Sequence, residues 1–370
     1  MKKSDIYWQT YINLEKEVIE MSKYIFITDE KIINRNGLEV VETCSTQLLT
    51  FSPHIADLLV RCCVQIEAIS KELYFDLNGE KQRGDNTIKF DEDCLKLIDI
   101  KWETHNKRVL VVAPFFNLTK DENRVLRPLK EAHKRQGTYW EKAYQAVKHD
   151  RYACLCVGNV KALIQALAAL YLLNVYYRRE TWIIKYQDLG KQDYSLGSAL
   201  FSVLKPVVNQ LWEGNNPQKS ESPFVVSYQD DVYKQIDDIR RKEFDNLNNY
   251  WRQQPELQEP ALLAQLQEAF KRGERVMQIW ELAKYRLNKS IPPTLPFDVR
   301  KERLIKSEAW NCWINQHNQH LAPEELTEEN IQGEINEVGV RWGMEIMKRY
   351  QRLEWVHIAT NSGLCRVYIP

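Results

Sequence analysis

Apolar residues recur at helical spacing along most of this chain. Between Pro53 and Leu77, Ile55, Leu58, Leu59, Cys62, Ile66, Ile69 and Leu73 fall on one helical face. Ser52 before Pro53 supplies an N-cap and a first-turn proline, and Asn78-Gly79 supplies a stop. The same reading predicts helices over 4–22, 91–100, 121–134, 195–212, 230–251, 260–287, 300–316 and 326–352. A helix from Tyr139 carries Trp140, Ala143, Tyr144 and Val147 on one face, with Thr138 as its cap. A long apolar helix then runs to about Tyr177, with Asp150 as its expected N-cap. Short apolar runs at 24–28, 109–114 and 182–186 read as strands. Residues 355–369, with Asn361-Ser-Gly363 at the turn, read as a terminal β-hairpin.

The expectation is therefore a mainly α protein. The stretch 213–223, rich in Gly, Asn, Pro and Ser, is the expected linker. It divides a helical bundle with an N-terminal extension (1–212) from a C-terminal helical region ending in the hairpin (224–370). A chain of 370 residues fits two domains.

Composition narrows the function. Charges balance at 51 basic against 51 acidic residues, so no global electrostatic footprint for nucleic acid exists and any such surface must be local. The eight cysteines contain no CxxC pair and no zinc spacing, which reads as reduced, buried thiols of a cytoplasmic protein with no metal and no cofactor. The first eighteen residues hold Asp5, Glu15 and Glu17 and no apolar core, unlike a signal peptide. Cys154–Tyr177 is apolar enough to raise the question of a membrane span. Its Asn159, Lys161, Gln165 and Asn174 argue for a buried core helix, and no membrane contact is expected. P-loop, GxGxxG, HExxH and GxSxG motifs are absent.

The candidate chemistry lies at Lys148-His149-Asp150-Arg151. In one unbroken helix His149 sits about 900° on from Trp140, which turns it opposite the buried face and far round from Arg151. A break at 148–150, with Asp150 as N-cap of the long helix, brings His149 and Arg151 to a helix N-terminus suited to an anion such as phosphate. The plain alternative is a junction histidine flanked by solvated or paired cations. A rival histidine, His133, follows Arg127 by six residues. Glu67 and Lys71 form an i, i+4 pair on the helix expected to pack against the long one, which brings Glu67 toward the cluster. His105, His317, His320 and His357 lack acidic or cysteine neighbours at ligand spacing.

Three segments in this order resemble the HEPN superfamily of small helical bundles: the helix around Ile66–Tyr74, the run Tyr139-Trp-x-x-Ala-Tyr-x-x-Val-Lys-His149-Asp-Arg151, and the long helix to Tyr177. The resemblance covers roughly residues 40–190. It implies a HEPN-like bundle and a metal-independent endoribonuclease of antiviral (phage) defence or toxin–antitoxin type. It equally admits a catalytically inactive binding or sensor subunit. In the active form His149 would serve as general acid/base, Arg151 and Lys148 would stabilise the phosphorane, Tyr144 would position substrate, and Glu67 would complete the site. The partners implied are RNA, tRNA among them, or a protein, with a homodimer formed through the bundle. HEPN sites usually place an arginine and a polar residue ahead of the histidine. Within the resembling stretch 40–190 only Arg127/His133 has that spacing, with Pro128 in the second position, so this pair is the alternative site.

Overall fold

A computed structural model describes residues 2–29, 47–80, 88–134, 137–206, 221–272, 278–314 and 322–370. The chain is mainly helical. It divides into unit 1, Met1–Gln229 with Leu364–Pro370, and unit 2, Asp230–Gly363. The segment 213–220, most of the expected linker, lies outside the described residues.

Unit 1 opens with α1 (Lys3–Ser22) and α2 (Pro53–Asp76). The predicted start of α2 holds: Ser52 Oγ accepts from the Ile55 amide at 3.2 Å. A π-helical turn (Phe90–Leu95) leads into α3 (Lys96–Trp102), then β1 (Val109–Val111). The helix expected over 121–134 does not form. One turn, α4 (Asp121–Arg124), gives way to β2 (Val125–Leu126) and a series of turns. Pro128 disfavours helical backbone at Arg127, and Val125 and Leu126 pair instead with Leu110 and Val109 of β1. After them come α5 (Tyr139–His149), α6 (Val160–Arg178), β3 (Trp182–Lys185), β4 (Phe201–Val203) and β5 (Val225–Tyr228). The helix expected over 195–212 is replaced in its described part by turns and β4, because β1 recruits Phe201–Val203 as an antiparallel partner. The run 24–28 is not a strand; only Thr28 forms an isolated bridge, to Asn117.

Helix α6 is the core of unit 1. From Val160 to Tyr176 every residue but Lys161 and Gln165 is buried. It is long and apolar enough to cross a membrane, yet 83% of that apolar stretch is packed inside the protein, against α1, α2 and α5. Buried Glu15 of α1 ties the helices to the sheet. Its carboxylate accepts from Tyr11 Oη (2.6 Å), the Leu200 amide (3.1 Å), the Ala199 amide (3.2 Å) and Ser198 Oγ.

Unit 2 contains α7 (Asp230–Arg252), α8 (Pro260–Lys271), α9 (Gln278–Ser290), α10 (Phe297–Lys306), α11 (Glu308–Ile314), α12 (Ile331–Tyr350) and α13 (Glu354–His357). Leu287, Trp310, Leu304, Ile331, Ile335 and Val338 make its main apolar cluster. The expected terminal hairpin is absent. Residues 354–362 are helical, and β6 (Leu364–Tyr368) returns to unit 1, where it pairs antiparallel with both β3 and β5. Two sheets result, ordered β2-β1-β4 and β3-β6-β5.

Helices α9 and α12 approach closely through glycines. A Cβ on Gly343 would stand 2.8 Å from Trp280 Cα, and one on Gly339 2.8 Å from Lys284 Cα. Gly333 on the same helix has nothing within 4 Å. Gly343→Ala should therefore destabilise unit 2 by about 1–3 kcal/mol through overpacking. Gly333→Ala should stabilise it by about 0.5–1 kcal/mol through helix propensity. Urea denaturation of the two variants beside wild type checks the opposite signs.

Candidate functional site

Helix α5 begins where the sequence predicts. Thr138 Oγ1 accepts from the Glu141 amide (3.2 Å) and Glu141 Oε2 accepts from the Thr138 amide (2.6 Å), a reciprocal cap. Trp140, Ala143, Tyr144 and Val147 are buried along one face, and Trp140 Nε1 donates to Pro128 O at 2.8 Å. The helix ends at His149, and Asp150 is its C-cap.

The expected cap of α6 is overturned. Asp150 Oδ1 accepts from the Ala153 amide (3.0 Å) and organises a turn. The cap is Asn159, whose Oδ1 accepts from the Ala162 amide (3.1 Å) and whose Nδ2 donates to Tyr139 Oη (2.9 Å). The Val160 amide also donates to Thr50 O, and a Cβ on Gly158 would lie 2.9 Å from Val147 Cγ2. This packing draws the chain down onto α5 and α2 before α6 can start. The buried N-terminus of α6 is therefore not the anion site expected beside His149.

The structure sorts the predicted residues into two groups. Glu67, Tyr144 and Lys148 are brought together: Tyr144 is 2% exposed, its Oη donates to Glu67 Oε1 at 2.9 Å, and Lys148 Nζ stands 5.1 Å from its ring centroid. Burial, then the charge and hydrogen bond of Glu67, push the Tyr144 hydroxyl well above its ordinary pKa. His149, the last residue of α5, and Arg151, in the turn after it, are exposed, with no ion pair or hydrogen bond of their side chains among the described residues. Tyr152 beside them is 98% exposed.

Arg127 and His133 do not meet through a bond. Arg127 Nη2 (2.9 Å) and Arg108 Nη2 (2.5 Å) share one oxygen of Glu221. His133 faces Asp99 instead, with Nδ1 3.7 Å from Oδ2. The same carboxylate holds His105, whose Nδ1 lies 2.8 Å from Oδ1 and 3.0 Å from Oδ2 and whose amide donates to Oδ1 at 2.7 Å. Thr104 Oγ1 donates as well (3.1 Å). Burial raises the Asp99 pKa, but the His105 amide and ring and Thr104 outweigh it and keep the carboxyl below its usual range. A standing carboxylate accepts, so this geometry suits the His105 tautomer with its proton on Nδ1, which turns Nε2 away from Asp99.

Sequence reasoning set His105 aside for want of an acidic neighbour, and Asp99 is that neighbour. The approach depends on Glu103, which takes a left-handed conformation (φ 49°) after α3 and turns Thr104 and His105 back onto Asp99. An Asp six residues before a His across a helix end is the one trace of it in the chain; the left-handed position itself is a glutamate, not a glycine or asparagine. Beneath the cluster Tyr176 stacks on Trp102 with ring centroids 4.5 Å apart, and its buried hydroxyl has no hydrogen-bond partner among the described residues.

Among the described residues no three His, Cys, Asp or Glu side chains are grouped to hold a metal ion. The seven cysteines other than Cys44 are free thiols: Cys62, Cys63, Cys94 and Cys365 are buried, Cys154 and Cys312 are half-buried, and Cys156 is exposed. No known protein family matches the chain, and neither a curated protein nor a solved structure shows significant similarity to it.

Glu141, on the same helix as Tyr144 and Lys148, generates a pH dependence. It is 7% exposed, and burial pushes its carboxyl up to about 7 against the Thr138 hydrogen bonds that lower it. The ordinary value is 4.5, so the folded chain holds this proton more tightly than the unfolded chain. The stabilisation is complete below about pH 4.5 and is lost as pH rises to about 7, an effect on the order of 3 kcal/mol at most. Glu141→Gln keeps the acceptor for Thr138 and removes the titration. Urea unfolding at pH 5 and pH 7.5 should show wild type losing stability relative to the variant across that interval.

Proposed function

We propose that unit 1 is a metal-independent endoribonuclease whose acid–base pair is His105 and His133, both set on Asp99. The observation that carries this reading is one buried carboxylate within 3.0 Å of one imidazole and 3.7 Å of a second. Cleavage of RNA without a metal needs a base to take the 2′-hydroxyl proton and an acid to protonate the departing 5′-oxygen. His105 Nε2 suits the first step, because Asp99 fixes its tautomer. His133, with Nδ1 3.7 Å from Asp99 Oδ2, is placed for the second. The 2′-oxygen attacks phosphorus, the P–O5′ bond breaks, and the products are a 2′,3′-cyclic phosphate and a 5′-hydroxyl.

The HEPN resemblance supports the same reaction class and offers His149, with Arg151 and Lys148, as the competing site. The setting it suggests is phage defence or a toxin–antitoxin pair, with two copies of the bundle joined. In the reading preferred here the exposed Lys148–Tyr152 turn holds the substrate: two cations bind phosphate, and the bare Tyr152 ring offers a stacking face.

A second reading is favoured by the burial of Tyr144. Its hydroxyl is committed to Glu67 inside the helix packing, leaving the HEPN-type cluster without a group to position substrate. On that reading the turn is a docking surface for RNA or a protein, and unit 1 has no activity of its own.

Total tRNA with EDTA present separates the two. His105→Ala and His133→Ala should each lower cleavage about 100-fold or more, and Asp99→Asn somewhat less, with the pH–rate profile of wild type bell-shaped. Lys148→Ala/Arg151→Ala should weaken RNA binding and leave fold stability unchanged. Cleavage lost in His149→Ala and retained in His105→Ala would move the site to the HEPN-type cluster. RNA binding by wild type without cleavage would establish the docking reading.

A further inference from the structure

Strand β1 buries one face and leaves the other open. Val109 is buried in the core, and by strand alternation Leu110 and Val112 face the other way, beside Val125 of β2. With Ala113, Phe116 and Leu118 they line a groove of about 480 Å³, a volume suited to a small molecule. Val112 is 44% exposed, so the floor has apolar surface left for a ligand to cover. None of Asp99, His105 and His133 lines this groove, and the ribonuclease reading does not use it.

The rim is built by a buried carboxylate. Asp29 is 3% exposed. Its Oδ1 accepts from the Thr119 amide (2.8 Å) and Thr119 Oγ1 (3.0 Å). Its Oδ2 accepts from the Lys120 amide (3.0 Å) and Asn123 Nδ2 (2.9 Å). These four bonds fix the single turn of α4, whose Asp121 and Arg124 are the charged residues lining the groove. A rim set in advance spares a ligand the cost of ordering it.

Asp121 and Arg124 are three residues apart on that turn, a spacing at which an acid and a base commonly pair. They do not pair here. Neither side chain has an ion pair or hydrogen bond among the described residues. The groove thus offers an apolar floor and one uncommitted charge of each sign at its edge. A plain alkyl carboxylate would engage Arg124 and be repelled by Asp121, and a plain alkyl amine would do the reverse. A free α-amino acid carries its ammonium and carboxylate on one carbon, so a single ligand satisfies both. Its side chain must be apolar, because a polar one would lose water against Leu110, Val112 and Phe116 without gaining a partner.

We propose that this groove binds a free apolar α-amino acid, with Arg124 on the carboxylate, Asp121 on the ammonium and the side chain on the floor of β1 and Phe116.

Ligand-observed NMR titration of the full chain tests it, with leucine, phenylalanine, aspartate, isocaproate (leucine without its amine) and leucinamide (leucine without its carboxylate). The titrations are run at about pH 6.5, where the amine of leucinamide is charged. Leucine and phenylalanine should each bind at least about tenfold more tightly than aspartate, isocaproate or leucinamide. Arg124→Ala should weaken leucine at least about tenfold and leave leucinamide unchanged. Asp121→Asn should weaken leucine similarly and leave isocaproate unchanged or tighter. Both residues are exposed, so the variants should fold, and thermal melts check this. No binding of leucine or phenylalanine, aspartate bound as tightly as leucine, or leucine binding unaltered by either substitution would overturn the proposal.

Discussion

A helix that is apolar on every side cannot lie on a surface, and α6 imposes that condition on unit 1. Leu163, Leu167, Leu170, Tyr171 and Leu173 face several directions, and all are buried. Each large apolar side chain buried there contributes about 2 kcal/mol relative to exposure, so α1, α2 and α5 must surround the helix. The polar groups follow from this arrangement. Glu15 is buried because α1 packs on α6, and it then needs the amides of Ala199 and Leu200, which brings in the sheet. Tyr171 Oη donates to Tyr194 O and Ser195 O and fixes the segment between β3 and β4.

The same constraint shapes the candidate chemistry. Tyr176, near the end of α6, stacks on Trp102 of α3 and so places the floor on which Asp99 stands. Asp99 is buried, and it remains a carboxylate because the chain after α3 turns back to supply donors. Helix α5 packs on α6 with Trp140 and Tyr144 inward, which leaves Lys148 at the rim and the 149–152 turn in solvent. The two clusters are thus built differently. The one around Asp99 is rigid and tied internally, while the other is an exposed basic and aromatic turn.

The long helices and the caps Ser52 and Thr138 were legible in the chain, since hydrophobic period and capping chemistry act over a few residues. Three misreadings share one cause. Residues 121–134, 195–212 and 355–369 have local patterns compatible with their expected structure, yet their fate was decided by distant partners: β1 for Val125–Leu126 and for Phe201–Val203, β3 and β5 for Leu364–Tyr368. Pairing across such separations leaves little trace in a single sequence. Asp150 was a sound cap on local grounds, and Asn159 displaced it through contacts with Tyr139 and Thr50. Of the candidate residues, Glu67, Tyr144 and Lys148 were legible as neighbours because two helices with clear faces carry them. Asp99–His105 was not, because a left-handed glutamate makes it.

Strand β6 lies at the centre of its sheet, between β3 and β5, although all of α7 to α13 intervenes between β5 and β6 in the chain. During synthesis on the ribosome β3 and β5 emerge early and must wait with unpaired edges while unit 2 is made. Unit 1 closes only when Leu364–Tyr368 arrives. Messages truncated anywhere within unit 2 would therefore yield a chain whose Asp99 cluster also lacks a neighbour, since Trp102 Nε1 donates to Pro370 O. Arrival of β6 thus acts as a checkpoint on the closure of unit 1.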